Sequence, residues 1–330
     1  MRSVGDIKIY HWSEIQDSFR GADIFLGNGF SININTALNY RSLFDRFLNY
    51  LDSTDQAIFR KFNSTNFEGI QGKLTDTVEV CKAFDQDTTK FESAHKKLKL
   101  GLLGAIRDLH PAFSQIDPNT IFHLSQKLDW FDDIYTTNYD TFLYHIALAT
   151  LDRARRNAVK KYQDFFRTEN GQSRFTERSL PGFKNIYYLH GALFLRKEDD
   201  QIVKMTRGTR TEELLQLIRL QVHIGYLPIF VSEGKAALKE RTIASNKYLA
   251  FCRQAFKQAS NRLVIHGFSF SNCDDHLISD LNVNKKKIAI GLHLTGLKDS
   301  QVQHRIKQIE EKLHRYRSNE IRYFDSKSLF

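Results

Sequence analysis

Cysteine is scarce in this chain of 330 residues, and its spacing carries information about the compartment. The three cysteines, Cys81, Cys252 and Cys273, lie far apart and form no CxxC pair. This spacing argues against a disulfide framework and against a zinc ribbon, so we expect no zinc or other metal site. A reducing cytoplasm is the compartment that such cysteine usage favours.

Long apolar stretches are also missing from the sequence. Residues 1–19 contain no apolar core of signal-peptide length, and no later segment approaches the ~20 apolar residues that cross a bilayer. We therefore expect a soluble, cytoplasmic protein without membrane contact. With 41% hydrophobic residues the chain can still bury a sizeable core, which fits one large α/β domain spanning 1–330.

Positive charge exceeds negative charge, with a formal net charge of +10 and a pI near 9.3. Such a balance attracts polyanions, and nucleic acid is the obvious candidate. Much of the excess stands in short, helix-like runs, Arg153–Arg156, Lys160–Lys161 and Lys285–Lys287. Runs of this kind are more often solvated faces than binding stripes, so nucleic acid remains a secondary partner in our interpretation.

Short apolar runs ending in Gly, Asn, Asp or Ser recur along the chain. They are Asp23–Leu26, Ile134–Thr137, Ile186–Leu189, Pro228–Val231, Leu263–His266 and Lys287–Leu292. Apolar runs without polar alternation are typical of parallel strands that helices cover on both faces. Glu320–Phe324 is predicted as an additional edge strand. Because helical patterns separate these runs, the sequence predicts a Rossmann-like, doubly wound, mainly parallel sheet.

The spacing of the strands is uneven. More than a hundred residues separate the first run from Ile134–Thr137, and they look mainly helical around Leu38–Leu51 and Leu98–Leu109. This segment is too long for one crossover connection. We therefore predict a helical insertion at 35–130 and a smaller insertion at 141–184.

A glycine-rich turn follows the first predicted strand. The strand runs directly into Gly27-Asn28-Gly29-Phe30-Ser31, and a helical segment comes next. Glycines at a strand-to-helix turn let the backbone approach a pyrophosphate, whose charge the helix N-terminus stabilises. The alternative is a plain tight turn, because turns also use glycine for positive φ.

Polar residues follow the next two strands as well. Thr137–Asp140 ends one strand and His190–Gly191 ends the other. Ligands of open α/β sheets sit at the carboxyl ends of strands, so Asn138 and Asp140 should face a crevice. Alternatively, both residues cap a helix that begins at Thr141. Histidine suits proton transfer near neutral pH, although an isolated strand-end histidine can equally be structural.

Two later strand ends repeat the same pattern at Ser232–Gly234 and His266–Ser271. The second continues into Asn272–His276, where Asp274, Asp275 and His276 could suggest a metal site. Consecutive residues seldom converge on one ion, so we predict a helix cap at this position instead. The recurrence of a compact polar and glycine group at successive strand ends favours a shared functional site.

These motifs resemble those of the sirtuin superfamily. Its order is a glycine loop ending in serine, a strand ending in Gln-Asn-Ile-Asp, a His-Gly pair and a Gly-Thr-Ser loop. The segments that look alike here are Gly27–Ser31, Thr137–Asp140, His190–Gly191 and Gly267–Ser269, in the same order. The closer resemblance is to bacterial sirtuin-like proteins of antiviral defence, which share the Thr-Thr-Asn-Tyr-Asp and Leu-His-Gly forms.

The resemblance implies hydrolysis of NAD to nicotinamide and ADP-ribose as an anti-phage defence. It also implies a homo-oligomer and a partner such as a HerA-type ATPase or another co-encoded protein. Asn138 would hold ribose hydroxyls or the attacking water, and His190 would orient or deprotonate the nucleophile. The implied NAD contacts are Gly27, Asn28, Gly29, Phe30, Ser31, Thr137, Asp140, Gly267 and Ser269.

Departures from the deacylase pattern set the expected chemistry. The paired cysteines of the sirtuin zinc module and the Pro-Asp-Phe-Arg segment are absent, so we expect hydrolysis without an acyl-lysine channel. Two other interpretations stay open. A non-catalytic NAD or ADP-ribose sensor would keep the glycine loops without needing His190. A basic nucleic-acid-binding protein would use the same fold as a scaffold and bind in a salt-sensitive manner.

Overall fold

The computed structural model describes residues 2–154, 161–206, 214–232, 234–282, 287–314 and 320–330. Parts of the predicted basic runs, 155–156, 160 and 285–286, lie outside the described residues. The described strands are β1 Arg2–Val4, β2 Ile7–Tyr10, β3 Asp23–Leu26, β4 Ile134–Thr136, β5 Tyr162–Gln163, β6 Phe166–Glu169, β7 Gln172–Phe175, β8 Lys184–Tyr188, β9 Gly191–Glu198, β10 Gln201–Lys204, β11 Pro228–Phe230, β12 Arg262–His266, β13 Lys287–Leu292 and β14 Ile321–Asp325.

The strands alternate with helices along the chain. The described α-helices are α1 Trp12–Ile15, α2 Asn28–Ile34, α3 Tyr40–Leu48, α4 Ser53–Lys61, α5 Phe67–Ala83, α6 Thr89–Leu109, α7 Pro118–Leu128, α8 Phe142–Ala154, α9 Leu214–His223, α10 Ala236–Ala244, α11 Lys247–Lys257, α12 Asp275–Leu281 and α13 Asp299–Lys312. Short 3-10 turns cover Gln16–Phe19, Thr36–Leu38, Phe113–Gln115, Asn272–Asp274 and Ser326–Ser328.

The main sheet has nine strands in the order β1-β2-β14-β13-β12-β3-β4-β8-β5. All neighbouring pairs in it are parallel except the β1–β2 hairpin. Every residue of β3 and β4 is buried, as expected for central strands that are covered on both faces. The prediction of an α/β fold with a mainly parallel sheet is therefore confirmed.

Two strand predictions are wrong. Pro228–Val231 was predicted as a parallel strand, but β11 belongs to a second sheet of order β11-β9-β10-β7-β6, in which every pair is antiparallel. A short apolar run looks the same in either direction, and here β9, which begins directly after His190, is the pairing partner. Glu320–Phe324 was predicted at an edge, but β14 pairs with β2 as well as with β13.

The stretches predicted as insertions hold most of the elements outside the main sheet. Residues 35–130 contain helices α3 to α7, and 141–184 contain α8 and strands β5 to β7. Strands β6 and β7 join the second sheet, whereas β5 extends the main one. The division into one domain with two insertions stays a prediction.

Aromatic packing ties the N-terminal segment to the main sheet. The Trp12 ring lies 5.0 Å from that of Phe324 and 5.9 Å from that of Phe131, measured between centroids. Aromatic pairs at these distances add about 0.5–1.5 kcal/mol beyond their buried area.

In the part of the chain that the structure describes, no helix is both long enough and apolar enough to cross a bilayer.

Candidate functional site

A cavity of about 950 Å³ lies beside the carboxyl ends of the main-sheet strands. One side consists of residues from the turns after β3, β4, β8 and β12, which we call the strand-end wall. Its members are Asn28, Gly29, Thr137, Asn138, Asp140, His190, Gly267 and Ser269. Another side, which we call the helical wall, consists of side chains from α3, α5, α10 and α13. Its members are Tyr40, Glu68, Lys239 and Arg305.

The cavity brings together eight of the eleven residues that the sequence singled out for catalysis and NAD contact. Asn138 and His190, which follow different strands, line the same space. Gly27, Phe30 and Ser31 stand behind the cavity surface rather than on it. These three residues therefore act on a ligand only through their neighbours.

Ser31 links the two polar residues of the β4 turn. Its hydroxyl donates to Asp140 Oδ2 at 2.5 Å, and Asn138 Nδ2 donates to Ser31 Oγ at 2.9 Å. Asn138 Nδ2 also lies 3.1 Å from the carbonyl oxygen of Gly27. Because a carbonyl oxygen can only accept, the atom facing it must be the amide nitrogen, and this fixes the orientation of the Asn138 side chain.

The other end of the Asn138 amide is open. Its Oδ1 atom is buried, yet no described donor lies within hydrogen-bond distance of it. Leaving a buried acceptor unpaired costs about 1–3 kcal/mol, so such atoms call for an explanation. Since Asn138 lines the cavity, the missing donor can be a hydroxyl group of a bound ligand or a water molecule.

Asp140 combines the two roles that the sequence left open. Its Oδ1 accepts the backbone N–H of Phe142, the first residue of α8, at 2.9 Å. Its Oδ2 accepts the Ser31 hydroxyl. The carboxylate therefore caps α8 and also holds the Ser31 hydroxyl, which in turn accepts a hydrogen bond from the Asn138 amide.

His190 is buried beside a second histidine. Its Nε2 lies 3.2 Å from Nε2 of His276, and the two rings stack with centroids 5.3 Å apart. Burial lowers the pKa of His190 well below its ordinary value of 6.5, and the positive charge of Lys239 lowers it further. Burial likewise lowers the pKa of His276 to about 2, and His190 adds to that decrease.

Both imidazoles are consequently neutral at physiological pH. Two neutral rings that meet through Nε2 must carry different tautomers, because one nitrogen has to donate and the other has to accept. His190 is held on its backbone side as well, where its carbonyl accepts the N–H of Val231 at 2.9 Å. A neutral imidazole in this position can accept a proton from a nucleophile.

The glycines of the β3 and β12 turns have a packing role. The Gly29 N–H donates to the Gly267 carbonyl, and the Gly27 N–H donates to the His266 carbonyl, each at 2.9 Å. A Cβ atom on Gly29 would lie 2.6 Å from Gly267 Cα, and Gly267 itself has a φ of +69°. Only glycine permits this approach of two backbones. The N–H groups of Gly27 and Gly29 are thereby already bonded to protein carbonyls.

The helical wall carries a buried cation between two carboxylates. Lys239 Nζ lies 2.9 Å from Asp274 Oδ1 and 3.3 Å from Glu68 Oε2, and its side chain is 2% exposed. Burial alone would lower the pKa of Lys239, but the charges of Glu68 and Asp274 raise it above its ordinary value. The lysine therefore stays protonated and holds α10 to α5 and to the β12 turn.

Asp274 differs from its predicted role. The sequence predicted a helix cap at Asn272–His276, and α12 does begin at Asp275, but Asp274 makes no side-chain capping bond to it. Its carboxylate accepts from Lys239 instead. The predicted segment therefore does supply the N-cap position of α12, at Asp274, but the carboxylate of this residue bonds to Lys239 rather than to a backbone N–H of the helix.

Arg305 is the second cation of the helical wall. Its guanidinium donates to the Ser269 carbonyl, so it holds the turn after β12. Partial burial lowers the pKa of Arg305, and no carboxylate offsets that effect. Among the residues that the structure describes, no acidic side chain forms an ion pair with it.

The sequence missed the four members of the helical wall and also His276, which contacts His190. His276 stands in a run that was singled out, but the run was assigned to a cap. The members of the helical wall lie on helices without a motif, and nothing local marks them; they are Tyr40, Glu68, Lys239 and Arg305. Throughout the described ranges, no three His, Cys, Asp or Glu side chains come close enough together to hold a metal ion.

The fold and the cavity define an α/β protein with a ligand-sized site at the carboxyl ends of its parallel strands. The chain belongs to the family described as Domain of unknown function (DUF4917), whose model matches residues 24–329. That match includes every residue of both walls. No curated protein matches the chain.

Proposed function

We propose that this protein hydrolyses NAD to nicotinamide and ADP-ribose in the cavity at the strand ends. The observation that carries the proposal is the fixed amide of Asn138, whose buried, unpartnered Oδ1 stands in the same cavity as the neutral imidazole of His190. A volume of about 950 Å³ lies at the upper end of the range for small-molecule sites, as a dinucleotide requires.

We propose a Rossmann-like, doubly wound arrangement as the basis of this site. From β3 the chain proceeds to β4 and β8 on one side of the sheet, and later from β12 to β13 and β14 on the other. Such a reversal of strand order opens a crevice between the central strands, and ligands of open α/β sheets bind there. The turns after β3 and β12 both line the cavity.

The reaction breaks the bond between the nicotinamide nitrogen and ribose C1′, and the bonding electrons leave with neutral nicotinamide. An oxocarbenium-like centre develops on the ribose, as in other glycosyl transfers. Asn138 Oδ1 accepts a hydrogen bond from a ribose hydroxyl or from the attacking water. Because Ser31 and Gly27 already fix its amide, little ordering is required when the substrate binds.

His190 completes the step by accepting the proton of the water whose oxygen bonds to C1′. Its lowered pKa keeps it unprotonated at neutral pH but also makes it a weak base, so it takes the proton only as the water bonds to the electron-deficient C1′, which makes that water acidic. The carboxylates of Glu68, Asp140 and Asp274 line the same cavity and favour the positive charge of the nicotinamide ring and of the developing centre.

The remaining NAD contacts divide between the cavity surface and the layer behind it. We assign direct contact to Asn28, Gly29, Thr137, Gly267 and Ser269, which line the cavity. We assign Gly27, Phe30 and Ser31 a supporting role, because they hold the β3 turn and the Asn138 amide in place.

We place the reaction in the cytoplasm and propose that it serves antiviral defence through depletion of NAD. This part rests on the resemblance of Thr137–Asp140 and His190–Gly191 to sirtuin-like defence proteins. We expect self-assembly, a HerA-type ATPase or another co-encoded protein to gate the activity. Size measurements with and without the co-encoded protein test the gating, and a monomeric, constitutively active enzyme would contradict it.

The direct test is to incubate the full chain, alone and with its co-encoded neighbour, with NAD and to identify the products by mass spectrometry. We expect nicotinamide and ADP-ribose, and a fall of about 100-fold or more for N138A and for H190A. N49A and H123A, which alter exposed residues outside the cavity, serve as matched controls and should keep full activity.

Thermal melts of all four variants separate loss of chemistry from loss of folding. Full activity of both N138A and H190A would reject the residue assignment. If wild type releases no nicotinamide under either condition but binds ADP-ribose, the protein is a sensor. Salt-sensitive binding of DNA or RNA that survives both substitutions would instead favour the nucleic-acid interpretation.

A further inference from the structure

We propose that Arg305 forms an anion subsite of the cavity and binds a phosphate group of the nucleotide. This inference rests on the proposed function and names the part of the ligand that the strand-end wall leaves without a charged partner.

The charge of Arg305 is not balanced by the residues that the structure describes. The partly buried Arg253 contacts Asp280 and Glu240, and Lys239 contacts Glu68 and Asp274. Within the described ranges, the carbonyl oxygen of Ser269 is the only acceptor within hydrogen-bond distance of Arg305. A guanidinium carries five N–H donors in a planar fork, so most of its donors face the cavity or solvent unused.

The glycine turns offer few free backbone donors to a phosphate. The N–H groups of Gly27, Gly29 and Phe30 donate to the carbonyls of His266, Gly267 and Gly27 at 2.9 Å each. These are the groups that a glycine turn would otherwise offer to a pyrophosphate. These bonds leave few backbone donors of the turn for a phosphate, and Arg305, which is held at the β12 turn by the Ser269 carbonyl, adds a charged donor to the same cavity.

The neighbours of Arg305 also suit an anion. His293, His304, Gln301 and Gln308 line the cavity and carry N–H donors. Of the cavity-lining carboxylates, Glu68 and Asp274 bond to Lys239, whose charge offsets part of theirs, and Asp140 is held on the strand-end wall by Ser31. Charge-assisted bonds from arginine to phosphate are frequently bidentate, which adds geometric specificity to the attraction.

Two phosphates could occupy the subsite, and both share the same chemistry. One is the pyrophosphate that NAD and ADP-ribose carry, and the other is the 2′-phosphate that distinguishes NADP from NAD. Titrations with adenosine, ADP-ribose and 2′-phospho-ADP-ribose distinguish them, because these probes carry no phosphate, the pyrophosphate alone, and both groups respectively.

The test uses the full chain with R305Q, R305K and K307A. R305Q removes the charge but keeps an N–H donor for the Ser269 carbonyl, so the β12 turn should survive. K307A removes an exposed positive charge from the same helix and serves as the matched control. Thermal melts of all variants check folding, and calorimetry at two salt concentrations measures binding.

We expect R305Q to weaken ADP-ribose binding by about 10- to 100-fold and to leave adenosine binding unchanged, which identifies the pyrophosphate. R305K should be intermediate and K307A should match wild type. A loss confined to 2′-phospho-ADP-ribose identifies the 2′-phosphate instead. If R305Q binds both phosphorylated probes with wild-type affinity, the anion subsite is rejected. The proposed NAD hydrolysis still stands in that case if the protein releases nicotinamide. A wild-type chain that binds none of the probes and cleaves no NAD overturns both.

Discussion

The two walls of the cavity are built in different ways. The strand-end wall presents mostly neutral groups, such as the Asn138 amide, which bonds to Gly27 and Ser31, and the His190 imidazole, which contacts His276. Asp140 is the one carboxylate among its members. The helical wall presents charged groups, Glu68, Lys239 and Arg305, which come from separate helices. The sheet thus supplies fixed geometry, and the helices supply most of the charge. Substitutions that act on one wall should therefore leave a different signature from those that act on the other.

The largest effect should come from the buried cation of the helical wall. K239M leaves the carboxylates of Glu68 and Asp274 without their partner, and breaking a buried ion pair from one side costs about 3–5 kcal/mol of unfolding free energy. The matched control is K235M, because Lys235 pairs with Asp76 at the surface, where side-chain exposures are 59% and 46%. An exposed pair is worth about 0–1 kcal/mol.

Urea denaturation of the two variants measures this contrast. The double variant E68Q/K239M also removes one of the two carboxylate charges that K239M leaves unpaired, so it should recover part of the lost unfolding free energy. Equal destabilisation by K239M and K235M would show that the buried triad contributes nothing beyond an ordinary surface pair.

The next effect should come from the backbone of the strand-end wall. In G267A the new Cβ would lie 2.5 Å from Phe30 N, in addition to the strain of a φ of +69°, so we expect a loss of about 3 kcal/mol. G182A is the control, since Gly182 has a φ of +79° but nothing within 4 Å of its Cβ position. That variant should lose only about 1 kcal/mol.

Denaturation midpoints compare the two glycine variants directly. The difference between them isolates the close approach of the β3 and β12 turns from the cost of positive φ. Similar losses in both variants would mean that the turns have room to separate, and the tight backbone contact would then not be what positions the wall.

The same contrast explains what the sequence could and could not predict. The strand-end wall was predicted because an apolar run followed at once by Asn138 or His190 is a local pattern, and parallel pairing brings such ends together. The helical wall was not predicted, because Glu68 and Lys239 are far apart in sequence and meet only through tertiary packing. The direction of β11 was wrong for a similar reason, since its partner β9 decides it.

A smaller effect on activity should follow from the link behind the strand-end wall. S31A removes the acceptor of Asn138 Nδ2 and the donor to Asp140 Oδ2, so the amide loses part of its fixed orientation. We expect turnover of NAD to fall by about 10-fold, which is the cost of one modest hydrogen bond. S53A, at an exposed position in the first turn of α4, is the control. An S31A enzyme with wild-type turnover would show that Gly27 alone holds the amide.

The smallest effect concerns the pH dependence of stability and separates His276 from surface histidines. The pKa of His276 is lowered from 6.5 to about 2 in the folded protein, so below pH 6.5 the unfolded chain binds a proton that the folded chain does not. The unfolding free energy must therefore fall as the pH decreases, by about 1.4 kcal/mol per pH unit for this group well below pH 6.5. His190 and His266, whose pKa values burial also lowers, act in the same direction.

H276Q removes an imidazole that binds a proton only in the unfolded chain. The unfolding free energy of this variant should therefore decline less steeply between pH 6.5 and pH 5 than that of wild type. H123Q, which replaces an exposed histidine, should keep the wild-type slope. Urea denaturation at several pH values measures both slopes. The slope is a better readout than the absolute stability, because it is insensitive to the packing that any substitution at a stacked ring disturbs. Identical slopes for H276Q and wild type would mean that His276 takes up a proton in the folded state, which would contradict the pairing of two neutral imidazoles at His190 and His276.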